Sequence, residues 1–470
     1  MRLGWVSIGL LAGVLSACKE DSNAEGSADE SSSGGGEGTM TSATTMPMTS
    51  STTDPGDCIP GNEDCECLDG TECVGELYCV EGICLPGPLF DPQDQDEPTV
   101  IAGLSVPIQV DVNADEYSWS QVDGPPTEII GEGASIQVPV PADAAPGDVI
   151  TLRIDATRNS VMASFDYHIT VMDAVFEDFL GGISDTSQLG TSVALDFDDA
   201  GNMWVSSSEG FLSRFSGDAM FQSGYDLTGG PAGVRFGQIY DPATGDDLPA
   251  LFVALTMEER IVTMNLNNQD VYELTAALDG GGALGPVDIV LPEGDGDAYF
   301  SNGTQISYVN VDYDDMGTMT ASTTVIVDTG MLTSPITAMS FGPDANVLYV
   351  GTQGKVWKIG LLQDGTTAPP TLYLDTGDET DPLEAVVGID FDRGGNMFVG
   401  IPGTETLHIA HFVAGEDATT SARSFVAPGA GFDAFRSLQH GNDAFSEGAL
   451  YWTNLTDRTV GRLETGLRGD

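Results

Sequence analysis

The chain has 470 residues, and its 15 Lys and Arg residues against 73 Asp and Glu residues give a formal net charge of −58. This length leaves room for about two to four domains, and a hydrophobic content of 41% can fill their cores. The charge would repel phosphate backbones, which excludes nucleic acid as an expected partner. It equally disfavours adsorption to anionic membrane surfaces. Such acidity is compatible with cation binding or simply with a soluble, self-repelling exterior.

Residues 1–17 are predicted to be an export signal. A short apolar stretch from Leu3 to Leu15 follows Arg2 and is too short to span a bilayer. It leads into the run Leu15-Ser16-Ala17-Cys18, which resembles the bacterial lipobox, in which the cysteine thiol carries diacylglycerol. An ordinary signal peptide with an incidental cysteine is the alternative. We therefore expect an exported protein that is attached to a membrane of the cell envelope through lipid at Cys18. Lys19, rather than Asp, follows it and favours the outer membrane.

Residues 18–57 are predicted to be a disordered tether, because their Ser, Thr, Gly, Asp, Glu, Met and Pro residues cannot form an apolar core. Residues 58–87 form a cysteine-rich segment. An even number of cysteines in so short an exported segment predicts three disulfides whose connectivity is open. A thiolate metal site is the weaker alternative, since no His is nearby and no two cysteines are spaced as Cys-x-x-Cys. The six cysteines are Cys58, Cys65, Cys67, Cys73, Cys79 and Cys84.

Residues 98–172 are predicted to form a β-sandwich. Strand-like runs recur with turn signals between them. They cover 105–112, 116–121, 135–140, 149–156 and 163–171. The run Trp119-Ser120-Gln121-Val122-Asp123-Gly124-Pro125 resembles the signature of PKD-type, immunoglobulin-like extracellular domains. The resemblance places Trp119 in the sandwich core. It implies either an adhesive module or a spacer, and we favour the spacer.

An internal repeat dominates the remainder, residues 174–467. The segments that begin at Asp196 and Asp390 read DFDDAGNMWV and DFDRGGNMFV, each a strand, an Asp- and Gly-containing turn, and a second strand. An aromatic residue in the second strand recurs about every 50 residues, which is the period of a β-propeller with four strands per blade. The recurring aromatics are Trp204, Phe252, Tyr299, Tyr349, Phe398 and Tyr451. The chain is therefore predicted to be all-β, with a six-bladed propeller after an immunoglobulin-like sandwich.

The last blade supplies only three strand-like runs, at 435–439, 449–453 and 460–464. We expect the segment from Ala174 to Leu180 to provide the missing outer strand and so to close the ring. The repeat pattern resembles NHL-type and gluconolactonase-type propellers. The run Leu450-Tyr451-Trp452-Thr453-Asn454 also resembles the YWTD repeat of lipoprotein-receptor propellers. These resemblances imply a fold and leave the function open.

The central channel should be lined where the inner strands begin. The predicted lining residues are Ser192, Arg235, Asp288, Thr337, Glu384 and Arg436. The gluconolactonase resemblance implies a divalent metal held by Glu, Asn and Asp. Only Glu384 and Asp288 in this set could ligate a metal, and the two arginines oppose a cation. The three-residue spacing of His408 and His411 on one strand points them to opposite faces, and His440 is expected in a turn.

These observations favour a non-enzymatic protein that binds a protein or glycan through the mouth of the channel. A metal-dependent lactonase or related hydrolase is the alternative, and no catalytic residue or metal ligand is assigned. No cofactor is required by this interpretation, although Ca²⁺ remains an option at two acidic turns, one around Asp196, Asp198 and Asp199 and one at 293–297. Because Asp is common in turns, a structural role is favoured for both.

Overall fold

The structure is a computed structural model that describes 63–68, 72–75, 77–88, 90, 97–180, 189–241, 244–275, 286–292, 298–313, 319–327, 330–362, 366–376, 385–402, 406–411, 423–426, 435–442 and 445–469. These residues are all-β, and none of them lies in an α-helix. Consequently no helix in this part of the chain is long and apolar enough to cross a membrane. Cys18 and the predicted tether lie outside the described residues.

The cysteine-rich segment contains a short hairpin of β1 (Leu77–Val80) and β2 (Ile83–Pro86). Disulfides join Cys67 to Cys79 and Cys73 to Cys84. Cys65 is also disulfide-bonded, while Cys58 lies outside the described residues. The disulfides confirm the predicted oxidised character of this segment, where too few residues are available for an apolar core.

The next segment forms two sheets that face a common apolar core. The larger has the strand order β3-β8-β7-β5, and the smaller pairs β4 with β6. Their bounds are β3 (Thr99–Ile101), β4 (Ser105–Gln109), β5 (Glu116–Asp123), β6 (Ser135–Pro139), β7 (Val149–Arg158) and β8 (Val161–Met172). β3 pairs in parallel with β8 and was not predicted, because three residues are too few to show a periodicity.

Six further four-stranded antiparallel sheets follow the predicted repeat, and in the first five the strands pair in chain order. Sheet 1 contains β10 (Ser192–Asp198), β11 (Asn202–Ser207), β12 (Phe211–Ser216) and β13 (Phe221–Asp226). Sheet 2 contains β14 (Pro231–Asp241), β15 (Asp246–Leu255), β16 (Arg260–Asn265) and β17 (Val271–Glu273). Sheet 3 contains β18 (Pro286–Val290), β19 (Ala298–Asn302), β20 (Gln305–Tyr313) and β21 (Met319–Val327).

The remaining three sheets have the same architecture. Sheet 4 contains β22 (Ala338–Phe341), β23 (Val347–Gly351), β24 (Lys355–Gly360) and β25 (Thr371–Asp375). Sheet 5 contains β26 (Gly388–Phe391), β27 (Asn396–Ile401), β28 (Thr406–His411) and β29 (Arg423–Val426). Sheet 6 contains β30 (Phe435–His440), β31 (Ala449–Asn454), β32 (Thr459–Glu464) and, from the other end of this region, β9 (Phe176–Asp178).

The six sheets follow one another in a cyclic order. The first strand of each sheet contacts the first strand of the next, and β30 also contacts β10. Six apolar clusters lie between neighbouring sheets, including one between sheets 6 and 1. The recurring aromatics belong to these clusters, and all but Tyr299 are almost fully buried. This arrangement is propeller-like, with the core distributed between the sheets rather than gathered at one centre.

β9 occupies the place of the outer strand in sheet 6. It pairs antiparallel with β32, with Phe176 opposite Leu463 and Glu177 opposite Arg462. This is the pairing expected from the missing strand in the sequence. The chain beyond it also packs against the junction of sheets 6 and 1, where Leu180 is fully buried and the Phe179 ring contacts that of Tyr451 at 5.2 Å.

Candidate functional site

Six residues, one from each sheet, form a ring at one end of the first strands. Each lies directly opposite a recurring aromatic residue in the antiparallel register. We call this set the mouth ring: Asp196, Arg235, Val290, Ser340, Asp390 and Gln439. The repeat that builds the core thus also presents one side chain per sheet at a common level.

All six residues of the mouth ring line one cavity of about 340 Å³, which we call the mouth cavity. Five phenylalanine and leucine residues, each next in sequence to a ring residue, contribute to the same lining. Asp196, Asp390 and Gln439 also border an adjoining cavity of about 430 Å³ that is lined by His440 and Asn442. The site is therefore concave, with both polar and aromatic residues in its lining.

The carboxylates of the ring bind the backbone of the following sheet. Asp196 Oδ2 accepts a hydrogen bond from the Phe236 amide at 2.5 Å, and Asp390 Oδ2 accepts one from the His440 amide at 2.6 Å. Asp288 Oδ2 makes the same kind of contact with the Met339 amide at 2.7 Å. Carboxylates of sheets 1, 3 and 5 thereby hold sheets 2, 4 and 6 in place.

Burial sets the protonation behaviour of Asp196. Its removal from water raises the pKa of this carboxyl to about 6, and the charge of Asp390 adds a small increase. The Arg235 guanidinium and the Phe236 amide oppose this increase because both stabilise the ionised form. The ring therefore contains a carboxyl group that changes charge near neutral pH.

His440 is held by Asp390 and does not lie in a turn, in contrast to the sequence expectation. It is the last residue of β30, and its Nδ1 lies 2.7 Å from Asp390 Oδ2. The ring packs edge-on against Phe398 with centroids 5.2 Å apart. Its Nε2 atom is buried without a hydrogen-bond partner among the described residues, as is Oδ1 of Asn442. Both atoms belong to residues that line the adjoining cavity.

Except for Arg235, the residues predicted to line the channel come earlier in the chain than the mouth-ring residue of the same sheet. Arg235, Asp288, Thr337 and Arg436 border a second cavity of about 40 Å³, which we call the inner cavity. Ser192 is buried instead and donates its hydroxyl hydrogen bond to the Leu189 carbonyl at 3.2 Å. Glu384 lies outside the described residues. Arg235 lines both the inner and the mouth cavity, so the two are neighbours along the channel.

Sequence reasoning missed five of the six mouth-ring residues because it counted from the starts of the inner strands. Hairpin register is the signal that could have found two of them. In the repeats at Asp196 and Asp390, the short turn fixes which residue faces Trp204 and Phe398. Arg235 is the one that the sequence analysis included, whereas Gln439 precedes an irregular connection to Tyr451 whose register the sequence does not determine.

The acidic turn after the first ring residue has a structural role. Asp198 accepts hydrogen bonds from the Asn202 amide at 2.9 Å and from the Trp204 indole Nε1 at 2.8 Å. These contacts fix the turn and the orientation of a core aromatic residue. The second acidic turn, at 293–297, lies outside the described residues.

The comparison with protein-family models gives no match, and neither does the comparison with curated proteins. Among solved structures, the chain is similar to an auxiliary nutrient binding protein from Bacteroides ovatus, with 12% identity over 80% of this chain and 99% of that one and a TM-score of 0.42. It is also similar to a calcium-binding protein, regucalcin, from Agrobacterium tumefaciens, with 13% identity over 59% and 91% of the two chains and a TM-score of 0.44. At identities and TM-scores this low, the likenesses carry no argument about function.

The described residues of the channel do not fit a divalent cation. Calcium takes about six to eight oxygen ligands, whereas the carboxylates that these residues offer are those of Asp196, Asp288 and Asp390, and one oxygen of each already accepts a hydrogen bond from the backbone. The guanidinium of Arg235 lies 3.6 Å from Asp288 Oδ1 and would repel a cation there. In the described part of the chain, one group of three potential metal ligands has its ligand atoms close together, namely Cys67, Cys73 and Cys84, and these sulfurs are committed to disulfides.

Proposed function

We propose that the six sheets are the blades of a six-bladed propeller and that its mouth cavity binds a glycan. The observation that carries the proposal is the mouth cavity itself, about 340 Å³ in volume and lined by one residue from each sheet. Small-molecule sites are typically concave, with a few polar groups that fix the orientation of the ligand. A protein partner would instead need a contact area of about 1,000 Å² or more.

The chemistry of the mouth ring suits a ligand rich in hydroxyl groups. Asp196 and Asp390 supply acceptors, Arg235 supplies donors, and Ser340 and Gln439 can do both. Each is held on a strand whose register is fixed by its pairing with a core aromatic residue. Hydrogen-bonding groups that are held in place in this way lose little conformational entropy when a ligand binds.

The alternative of a metal-dependent lactonase would place a cation beside Arg235, which the charge arrangement opposes. The same ring residues would then be needed for hydrolysis. An assay of lactone hydrolysis with added Ca²⁺ or Zn²⁺, run beside the binding measurement, distinguishes the two functions. Metal-dependent turnover that is lost in a Gln439→Ala variant of the mouth ring would favour the hydrolase.

The binding experiment compares two glutamine substitutions on a panel of immobilised oligosaccharides. Gln439→Ala removes a mouth-ring amide, whereas Gln222→Ala removes an exposed amide from β13, in the outer strand of sheet 1. We expect the wild-type protein to bind a subset of the panel, Gln439→Ala to weaken that binding at least tenfold, and Gln222→Ala to leave it unchanged. Absence of wild-type binding, or equal effects of the two substitutions, would contradict the proposal.

We further propose that the chain is a surface lipoprotein in which the tether, the disulfide-rich segment and an immunoglobulin-like sandwich of residues 98–172 display the propeller. The support for the anchor is the run from Leu15 to Cys18 in the sequence. Cys18→Ser should release the protein from the membrane fraction, with loss of metabolic labelling by fatty acid. Unchanged labelling of the variant would contradict the anchor.

A further inference from the structure

Two arginines meet at the inner cavity of a protein that has few basic residues. Arg235 and Arg436 are two of only 15 Lys and Arg residues in a chain with 73 acidic ones, and both border the same space of about 40 Å³. Most of the remaining lining is apolar, with Val193, Val387 and Leu438 among its members. Buried cations in apolar surroundings are costly unless a counter-charge accompanies them.

The counter-charge on the described residues is incomplete. Arg235 Nη2 lies 3.6 Å from Asp288 Oδ1, which makes one ion pair. Arg436 Nη1 donates to the Phe435 carbonyl at 3.0 Å, and its guanidinium forms no ion pair with any residue that the structure describes. Arg235 thus has the carboxylate of Asp288 beside it and also stabilises the ionised form of Asp196, whereas Arg436 has no such counter-charge among the described residues.

Removal from water shifts the pKa values of one arginine and one aspartate at this cavity. Burial lowers the pKa of the Arg436 guanidinium and raises the pKa of the Asp288 carboxyl. Both shifts disfavour the ionised forms. An anion in the cavity would supply the counter-charge that Arg436 lacks among the described residues and could accept hydrogen bonds from the guanidinium groups.

We propose that the inner cavity is a binding site for a carboxylate or a similarly small oxyanion, which the guanidinium groups of Arg235 and Arg436 hold. A water-sized position needs about 10–15 Å³ of such space, so the cavity has room for roughly three such positions, the size of a carboxylate group. The planar fork of arginine matches the two oxygens of that group. This site is separate from glycan binding at the mouth, although Arg235 borders both cavities.

In the experiment, the full-length protein is titrated with acetate or with phosphate in a chloride-free sulfonate buffer, and binding is measured by calorimetry. We expect saturable acetate binding by the wild-type protein and at least tenfold weaker binding by Arg436→Gln. Arg436→Lys should recover part of the affinity because it restores the charge. The matched control, Arg153→Gln, removes an arginine that pairs with Asp166 at 2.7 Å in the sandwich, and it should bind as the wild type does.

A second measurement needs no variant. Phenylglyoxal modifies accessible guanidinium groups, and acetate should slow the modification of Arg436 but not that of Arg153 in the wild-type protein, as measured by mass spectrometry. Failure of the wild-type protein to bind acetate or phosphate saturably would overturn the proposal. Equal losses in Arg436→Gln and Arg153→Gln would do the same.

Glucuronate distinguishes the two sources of the carboxylate. If the group belongs to a sugar acid whose ring occupies the mouth cavity, glucuronate binds more tightly than acetate, and Gln439→Ala removes only that gain. If the group is a free small anion, the two acids bind equally and Gln439→Ala has no effect. Either result supports the carboxylate site, and glycan binding can fail in the panel experiment without affecting it.

Discussion

The carboxyl group of Asp196 is buried, and it accepts a hydrogen bond from the backbone of the next sheet. Only 7% of the residue is exposed, and its Oδ2 atom accepts the Phe236 amide hydrogen bond that links sheets 1 and 2. An amide side chain could accept the same bond without carrying a charge. The hydrogen bond between the sheets therefore does not require a negative charge at residue 196. The effect of the charge can be tested separately from the effect of the bond.

Replacement of Asp196 by Asn should therefore change the pH dependence of stability. The folded-state pKa is raised from 3.8 to about 6, so the folded protein binds this proton more tightly than the unfolded chain does. The contribution of this carboxyl to the free energy of unfolding is fully present below its pKa in the unfolded chain, and it is lost as the pH rises through about 6. The Asn variant should match the wild type near pH 4 and exceed it near pH 7.5 by up to about 3 kcal/mol.

Chemical denaturation at the two pH values measures this difference. Asp226→Asn is the control, since it removes an equal charge from an exposed position at the end of β13. The control should track the wild type at both pH values. A difference between Asp196→Asn and wild type that is the same at pH 4 and pH 7.5 would contradict the expected titration.

Single residues were partly predictable from the sequence. The Gln of the sandwich motif, Gln121, binds the loop that follows it, with its Nε2 donating to the Pro125 carbonyl at 2.7 Å and its Oε1 accepting from the Thr127 amide at 3.0 Å. Trp119, which was expected in the core, packs against the apolar cluster but is only partly buried, and its indole Nε1 donates to the Gly133 carbonyl at 2.9 Å. A sequence motif identifies such residues but does not predict how deeply their side chains are buried.

At the scale of elements, the same turn sequence serves two different purposes. In sheets 1 and 5, Asn202 and Asn396 bind the turn carboxylates Asp198 and Asp392 in the same way. Asn396 also pairs with the backbone of Ser105, accepting from its amide at 2.7 Å and donating to its carbonyl at 2.9 Å. The sandwich thus rests on sheet 5, and an apolar cluster continues from the sandwich into sheets 5 and 6.

This pair of asparagines offers a matched test of the docking. Asn396→Ala should speed hydrogen exchange of the Ser105 amide and lower stability by about 1–3 kcal/mol more than Asn202→Ala, because it also loses buried bonds between the two units. Asn202→Ala should leave the Ser105 amide protected. Continued slow exchange at Ser105 in Asn396→Ala would show that the contact does not couple the sandwich to the sheet.

Close packing between sheets 5 and 6 depends on Gly400. A Cβ atom at this position would lie 1.7 Å from the Phe435 ring, and overpacking in a core costs about 1–3 kcal/mol. Gly400→Ala should therefore lower the melting temperature by several degrees. Gly360→Ala in sheet 4 is the control, since its Cβ would meet only Ala368 at 3.5 Å. Equal melting temperatures for the two variants would contradict the tight contact.

Strand positions in these sheets followed from the sequence, because alternation and Asp- or Gly-containing turns are local signals. The repeats predicted at Asp196 and Asp390, each a strand, a turn and a second strand, are the hairpins β10–β11 and β26–β27 in the structure. The docking of the sandwich could not be predicted in this way. It joins Ser105 to Asn396 across 291 positions. Gly394 stands where the first repeat has Ala200, and a Cβ at Gly394 would lie 2.6 Å from the Ser105 carbonyl oxygen, but a glycine in a turn does not by itself indicate a partner.

At the scale of the whole molecule, the cyclic order of the sheets creates the mouth cavity. Each pair of neighbouring sheets shares an apolar cluster, and the cluster between sheets 6 and 1 includes Leu180 and Tyr451. The ring would have an open edge in sheet 6 without β9, since β32 would lack a partner on its outer side. Closure at β9 therefore completes sheet 6, which carries the mouth-ring residue Gln439.

The most direct test of that closure is an engineered disulfide between β9 and β32. Glu177 and Arg462 lie directly opposite each other, where Cα atoms are about 4.5–5.5 Å apart, within the range that a disulfide spans. Glu177→Cys with Arg462→Cys should form an intramolecular disulfide under mild oxidation, identified by mass spectrometry, and should melt at a higher temperature. Glu177→Cys with Thr459→Cys, about 10 Å out of register, should not form one. A reduced or only intermolecularly linked 177–462 pair would contradict the closed ring.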